Sequence, residues 1–180
     1  HEVFSGNVIA QNRLKGVGFL SREDAINYGV TGPSGRGSGW ACDVRKRSPY
    51  AAYDKVQFDE VLYNEGDSYA RYMVRMKEIE QSLHILEQLV DNIPEGDYLA
   101  KTKPIIKVPE GRYFKEVEAA RGAFGIYLES RGDKFPYRLK VNSPGFNLVG
   151  AVDHMTRGSK IADLIAIGGS LDYVVPDIDR

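Results

Sequence analysis

The alternation of apolar and polar residues predicts one long helix in the middle of the chain. Between Asp67 and Asn92 apolar side chains recur every three or four residues, the spacing that places them on one helical face. These apolar positions are Tyr69, Tyr72, Met73, Met76, Ile79, Leu83, Leu86, Leu89 and Val90. The opposite face carries Arg71, Arg75, Lys77, Glu78 and Gln81. We therefore expect an amphipathic helix that packs through its apolar face, exposes its charged face and ends near Pro94.

Shorter segments carry weaker helix and loop signals. Residues 21–24 (Ser-Arg-Glu-Asp) have the hydroxyl and carboxylate of a capping box, which predicts a short helix that ends at Gly29. Residues 31–39 contain so much glycine that we predict a loop there. Residues 159–166 have helical character, and the pair Gly168-Gly169 predicts the end of that helix.

A small antiparallel sheet is predicted in the last third of the chain. Residues 113–118 and 123–130 are rich in aromatic and β-branched side chains, and Arg131-Gly132-Asp133 can turn the chain into residues 137–141. No linker long enough to separate two domains is visible. The sequence thus predicts an α+β fold, a helical core with one long helix and a minor sheet, in a single domain over residues 1–180.

Composition removes several classes of function. The chain has 24 basic and 25 acidic residues, so no excess of positive charge favours nucleic acid as a partner. Cys42 is the single cysteine, which excludes an internal disulfide and a thiolate metal centre built by this chain alone. The apolar run at residues 161–167 is far shorter than the ~20 residues of a membrane span. Because the chain begins at His1 without methionine or a leader, we expect upstream sequence to be missing.

Two segments invite a chemical interpretation that their residues do not support. Gly32 and Gly37 have the spacing of a phosphate-binding loop, but Ser38 and Gly39 stand where lysine and a hydroxyl residue should follow. A nucleotide site is therefore disfavoured. Residues 43–47 (Asp-Val-Arg-Lys-Arg) place one carboxylate among cations, which we interpret as a surface ion-pair cluster.

The histidines give no metal motif, since their spacings match no zinc pattern. His84 lies beside the apolar stripe of the long helix, and we expect it to be solvated. His154 follows Asp153 near the end of the chain, and imidazole titrates near neutral pH. Asp153 and His154 are therefore candidates for proton transfer, with packing or solvation as the simpler interpretation.

The segment Asp172–Arg180 is unusual for a chain end. Such ends are normally frayed and polar, whereas this one alternates apolar residues with carboxylates and stops on an arginine. A structural tail held by salt bridges and a tail packed into a specific site are both open at this point.

An ordered series of motifs carries a family resemblance over nearly the whole chain. The series comprises Gly16-Val17-Gly18-Phe19-Leu20-Ser21-Arg22-Glu23-Asp24-Ala25, Thr31-Gly32-Pro33, Arg36-Gly37-Ser38-Gly39, Asp43-Val44-Arg45-Lys46, Gly66-Asp67, Arg71-Tyr72-Met73-Val74-Arg75-Met76, Gln81-Ser82, Pro136-Tyr137-Arg138 and Pro144-Gly145-Phe146. It resembles the family of the 49-kilodalton-type, or D-type, subunit of NADH-quinone oxidoreductase, respiratory complex I. This chain is similar to the C-terminal part of that subunit. Ala123 and Asp177 depart from the family pattern, which usually has glutamate at both places.

The resemblance implies descent from the large subunit of nickel–iron hydrogenases, whose C-terminal cysteine pair helps to hold the metal. Val174 and Asp177 occupy those two positions here. Neither is a soft thiolate ligand, so nickel is not expected to bind. The family instead implies that the former metal cavity became part of a quinone pocket.

Carried over by the resemblance, Asp172, Val174 and Arg180 lie near the quinone and near the terminal four-iron cluster of the neighbouring B-type subunit. A cation there would stabilise added negative charge, and an apolar side chain would line the cavity. The family's tyrosine and histidine headgroup ligands belong to the N-terminal half, so Tyr173 and His154 are not assigned to them. No cofactor is expected within this chain.

The resemblance further implies a setting for the whole protein. Partners would be the B-type and C-type subunits and the membrane-arm subunits, with NADH oxidised on other subunits and quinone as the substrate. We expect a peripheral position on the cytoplasmic face of the bacterial inner membrane, and an inactive isolated chain. Two alternatives stay open: an assembly scaffold for the complex, and a hydrogenase-type large subunit, which the missing cysteine pair disfavours.

Overall fold

A computed structural model describes residues 2–179, and α-helices form most of its regular structure. In chain order the helices are α1 (Glu2–Ser5), α2 (Val8–Leu14), α3 (Arg22–Tyr28), α4 (Gly32–Arg36), α5 (Val44–Arg47), α6 (Ser68–Val90), α7 (Pro144–Gly150), α8 (Val152–Thr156), α9 (Ile161–Leu171) and α10 (Val175–Ile178). Between α6 and α7 the strands β1 (Gly111–Ala119), β2 (Gly122–Ser130) and β3 (Arg138–Asn142) pair antiparallel in the order β1-β2-β3. The predicted α+β class and the predicted sheet are confirmed.

The long helix α6 forms where the pattern predicts it, but its predicted faces are wrong. Asp67 caps its first turn by accepting the N–H of Ala70 at 2.7 Å. Leu83, on the predicted packing face, is 56% exposed, whereas Arg71, on the predicted solvent face, is fully buried. Because Ala70 and Val74 are small, α4 and α9 approach the helix closely on the arginine side. That close approach, more than total hydrophobicity, selects the buried face.

The predicted glycine-rich loop is also wrong over part of its length. Helix α4 is buried, and its N-terminal Gly32 has φ +69°. A side chain there would bring a Cβ within 2.5 Å of the Gly122 backbone. Thr31, just before the helix, accepts the N–H of Ala123 through its hydroxyl oxygen at 2.9 Å. The glycines therefore allow a buried helix to contact the start of β2 directly.

Two further helices test the capping signals. Helix α3 is confirmed, with the Ser21 hydroxyl at its N-cap and Gly29 left-handed at its C-cap. Helix α9 does not end at the glycine pair 168–169 as predicted, but continues to Leu171. Ile167 and Leu171 are fully buried, and their packing holds the last turn in place despite the glycines.

The main core lies between α3, α7, α8 and α9. Its buried members are Leu20, Ala25, Val30, Leu148, Ala151, Met155, Ile167 and Leu171. A second, smaller cluster of Val56, Phe58 and Ile85 attaches the segment before α6 to that helix. Within residues 2–179, no helix is long and apolar enough to cross a membrane.

Candidate functional site

The tail segment predicted to be functional begins where α9 ends. Asp172 has φ 56° and ψ 37°, a left-handed conformation that residues other than glycine rarely adopt and that aspartate tolerates better than most. Its N–H donates to the carbonyl of Gly168 at 3.2 Å. Val174 then has extended backbone angles and precedes α10. The left-handed residue thus redirects the chain from the helix into the tail.

Polar contacts anchor this segment at both ends. Arg121, in the turn between β1 and β2, donates from Nε to the Asp172 carbonyl oxygen at 2.6 Å, and the same nitrogen lies 3.5 Å from Asp172 Oδ2. Ser143, the N-cap of α7, donates its hydroxyl to the Asp177 carboxylate. Residues 172–177 are therefore held against the sheet turn and α7, unlike an ordinary frayed end.

Asp172 and Val174 come together on this anchored segment. The Asp172 side chain is 47% exposed, and Val174 is half-buried. Tyr173, between them, packs against the main core. Arg180, the third predicted residue, lies outside the described residues. Over its described part, the tail presents a carboxylate and an apolar side chain two residues apart.

A cleft of about 440 Å³ opens between α6 and α9 beside the start of the tail. Its polar lining consists of Ser68, Tyr72, Arg75, Ser170 and Asp172, and its apolar wall includes Leu14 and Ile165. Burial lowers the pKa of Arg75, and the Asp172 carboxylate opposes that shift. An apolar wall with a few convergent polar groups is typical of a small-molecule site.

The other predicted pair, Asp153 and His154, occupies a separate surface. Asp153 is 76% exposed and bonds to Arg157 at 2.5 Å. His154 Nε2 lies 3.3 Å from Asp24 Oδ2, and its ring stacks obliquely on Tyr28 with centroids 5.6 Å apart. These contacts join α8 to α3. A proton-transfer role for the pair stays a prediction.

A buried charged cluster was not foreseen from the sequence. The Arg36 side chain is 2% exposed and lies 2.7 Å from both Glu78 and Glu118 and 3.8 Å from Asp43. Burial disfavours the charged guanidinium, but these carboxylates outweigh it and raise the pKa of Arg36 above its ordinary value. The interpretation of residues 43–47 as a surface ion-pair cluster is wrong for Asp43, whose side chain is fully buried.

Arg71 is the second buried cation that the sequence pattern missed. Its guanidinium donates to the carbonyls of Gly18 and Gly66 and to the hydroxyls of Ser68 and Ser170, at 2.8 to 3.0 Å. Burial lowers its pKa to about 9, which leaves it charged at neutral pH. Ala70 and Val74 were the signal in the sequence for this buried face, because residues four positions apart also lie on one face of a helix.

The donor set does not fit a thiolate metal centre. Burial raises the pKa of Cys42 to about 12, so it is a protonated thiol at neutral pH. Val174 offers no ligand atom, and the Asp177 carboxylate accepts the hydroxyl of Ser143. Among residues 2–179 no group of three or more His, Cys, Asp or Glu side chains could hold a metal ion.

Comparison with known families decides which family this arrangement belongs to. The model of the family described as "Respiratory-chain NADH dehydrogenase, 49 Kd subunit" matches residues 1–107 and 101–180. The chain belongs to this family. The resemblance indicated by the ordered motif series is thereby confirmed.

Individual relatives agree with the family. A protein of Phocaeicola vulgatus, named as the C/D subunit of NADH-quinone oxidoreductase, is 69% identical over 100% of this chain and 35% of its own length. Two proteins named as the D subunit of the same oxidoreductase, from Desulfotalea psychrophila and Bacillus cereus, are 52% and 46% identical over 99% of this chain and 48% and 49% of their own lengths. The chain thus spans about a third to a half of these relatives, whose names agree with its family.

Proposed function

We propose that the tail of this chain forms one wall of the quinone site of an NADH-quinone oxidoreductase, near the terminal four-iron cluster of a neighbouring B-type subunit. The observation that carries this proposal is the anchored segment with Asp172 and Val174 beside a cleft. A segment held at both ends can keep a carboxylate and an apolar side chain at fixed positions against a headgroup. Membership of the family supports the reaction class.

Each residue has a distinct task in this proposal. Val174 lines the apolar part of the site, where it excludes water from the headgroup. Asp172, held by Arg121, fixes the tail and can hold a neighbouring cation. Arg180 supplies positive charge where negative charge develops during reduction. The cluster of the neighbouring subunit supplies the electrons.

The setting of the whole protein belongs to the same proposal. The names of the relatives support assembly with further subunits, for which we propose the B-type, C-type and membrane-arm subunits. NADH would be oxidised on other subunits, and this chain would contribute no cofactor of its own. We propose a peripheral position at the cytoplasmic face of the bacterial inner membrane, with His154 and Asp153 available for proton exchange at the surface.

Quinone kinetics of the assembled complex test the proposed wall. Val174→Trp should raise the KM for quinone roughly tenfold or more, because overpacking a filled site costs about 1–3 kcal/mol. Reduction of an artificial acceptor upstream of the quinone site should be unchanged. Glu80→Gln, at an exposed residue of α6 that pairs with Lys77, is the matched control. An unchanged KM in a fully assembled Val174→Trp complex would contradict the proposal.

A scaffold function is the second candidate, and the exposed stripe of α6 favours it. Ile79, Leu83, Leu86 and Val90 are each more than half exposed. Contiguous exposed apolar residues commonly mark protein interfaces. If assembly is the main role, Leu83→Ser should lower the amount of complex while turnover per assembled complex stays at the wild-type value.

A further inference from the structure

The cleft between α6 and α9 lies against the buried Arg71 and the half-buried Arg75, whose hydrogen bonds go to neutral oxygens. Arg71 and Arg75 are one helical turn apart, and neither lies within 4 Å of a carboxylate among the described residues. We propose that this cleft binds a small oxyanion, a carboxylate or a phosphate group, through the guanidinium of Arg75 and the hydroxyl of Tyr72. The cleft borders the tail to which the quinone wall is assigned, and the protection of Arg75 and the KM for quinone are separate readouts for the two proposals.

Arg71 supplies a fixed positive charge behind the cleft. Its donors point to neutral carbonyl and hydroxyl oxygens, so its hydrogen bonds are satisfied while its charge is not neutralised. Burying such a charge is costly unless an opposite charge lies nearby. Ser170 and Ser68, which accept from Arg71, also line the cleft. Negative charge in the cleft would therefore interact favourably with Arg71 without touching it.

Arg75 supplies the direct contact. Among the described residues it donates to the carbonyls of Arg71 at 3.0 Å and Leu171 at 3.4 Å. A guanidinium has five N–H donors in a planar fork that matches the oxygens of carboxylate and phosphate. Arg75 and Tyr72 both line the cleft, and the Tyr72 hydroxyl shares a hydrogen bond with Ser5 at 2.7 Å.

The acidic groups nearby are already committed to other contacts. Asp67 accepts the N–H groups of Gly16 and Ala70 at the start of α6. Glu78, one turn beyond Arg75, is bound to Arg36. Asp172 lines the cleft and is paired with Arg121, 3.5 Å away, so the charges of these two residues offset each other.

The cleft lining holds one cation, Arg75, and one carboxylate, Asp172, and the buried Arg71 lies behind it. The buried charge of Arg71 therefore favours an anionic ligand over a cationic one in this cleft. The apolar wall at Leu14 and Ile165 leaves room for a short hydrocarbon portion on the ligand. A small organic acid or a phosphate ester has this combination of groups.

Residue-specific protection from an arginine reagent tests the site. The intact complex, purified in buffer without phosphate or carboxylate, is treated with phenylglyoxal, and modification of Arg75 is measured by peptide mass spectrometry. Inorganic phosphate and acetate are added in separate arms. An anion at about ten times its dissociation constant should slow modification of Arg75 roughly tenfold. Arg157, which is 75% exposed, should react at the same rate in every arm and is the internal control.

The variant Tyr72→Phe gives a second test that keeps the helix intact. Loss of its hydroxyl should raise the anion concentration needed for half-protection by about tenfold, the effect of one hydrogen bond to a charged group. Protection by phosphate, by acetate or by both supports the site and identifies its preferred group. Equal rates with and without both anions overturn the proposal, and so does an Arg75 that never reacts. Neither result bears on the KM for quinone.

Discussion

Two buried arginines, Arg36 packed against α6 and Arg71 within it, lie in contrasting surroundings. Arg36 packs against α6 inside a ring formed by Glu78, Glu118 and Asp43, and its pKa is raised. Arg71 belongs to α6 itself and meets only neutral oxygens, and burial lowers its pKa. Both guanidinium groups are almost completely buried. The difference lies in whether carboxylates of this chain share the site.

The contrast separates structural charge from charge available for function. A cation whose partners belong to the same fold joins elements together, as Arg36 joins α4, α6 and β1. The electrostatic potential of a cation without such partners can act on another molecule. Arg36 and its carboxylates lie beside the sheet, whereas Arg71 and Arg75 lie beside the tail and its cleft. Function is therefore expected on the side of Arg71 and Arg75.

The largest expected effect is a loss of stability when Arg36 is removed from its carboxylates. Arg36→Met leaves the carboxylates of Glu78 and Glu118 without their cation, while Asp43 keeps Arg45, and the free energy of unfolding should fall by about 3–5 kcal/mol. Equilibrium denaturation in urea measures it. Arg47→Met is the control, because the Arg47 side chain is 51% exposed and its ion pair with Glu116 contributes little.

A smaller loss is expected for the uncompensated cation. Arg71→Met removes an unfavourable buried charge together with its hydrogen bonds, so the free energy of unfolding should fall by about 1–3 kcal/mol, mainly from the oxygens left without donors. The same denaturation experiment gives the value. A fall in the free energy of unfolding as large as that of Arg36→Met would contradict the difference proposed between the two arginines.

A third effect is a loss of stability at alkaline pH, caused by the buried thiol of Cys42 near Arg36. Burial raises the pKa of Cys42 from 9.0 to about 12, so the unfolded chain loses this proton first as pH rises. The contribution of the thiol to stability is complete below pH 9 and declines between pH 9 and pH 12. At about one pH unit above the ordinary value, the loss is about 1.4 kcal/mol.

Cys42→Ala should remove this decline. The measurement is the free energy of unfolding of wild type and variant as a function of pH, each compared with its own value at neutral pH. Parallel curves for the two proteins would show that the thiol titrates alike in the folded and unfolded chains, contrary to its buried position.

The smallest expected effect concerns the left-handed turn at the start of the tail. Asp172→Ala and Asp172→Gly both remove the carboxylate, but only glycine adopts φ 56° without cost. The alanine variant should be less stable by about 1–2 kcal/mol than the glycine variant, and thermal unfolding measures the difference. Equal stability would indicate that this backbone turn relaxes in solution, and the fixed position of Val174 would lose its support.

Local signals in the sequence predicted elements whose causes are local. Helix α3 follows from its Ser21 cap and its end at Gly29, and α6 follows from the three- and four-residue period of its apolar side chains. The sheet follows from branched and aromatic residues around a tight turn. The buried face of α6 was missed because the prediction followed total hydrophobicity, whereas the small residues Ala70 and Val74 form the face that α4 and α9 approach.

The candidate site likewise has parts that the sequence predicted and parts that it did not. Asp172 and Val174 were identified through the family resemblance, by their places in the segment Asp172–Arg180. The contacts that anchor and charge the site join distant parts of the chain: Arg121 lies 51 residues from Asp172, and Arg36 lies 82 residues from Glu118. No pattern of spacing reveals such pairs. Asp43 illustrates the limit, because nothing in the sequence around it indicates that its side chain is fully buried beside Arg36.

Cross-linking by a photoreactive quinone analogue tests the proposed quinone wall most directly. The intact complex is illuminated with the analogue bound, with and without excess natural quinone, and labelled peptides are identified by mass spectrometry. We expect label on the peptide that contains Val174, suppressed by the natural quinone. Label confined to other peptides, in a complex that still reduces the analogue, would contradict the proposed wall.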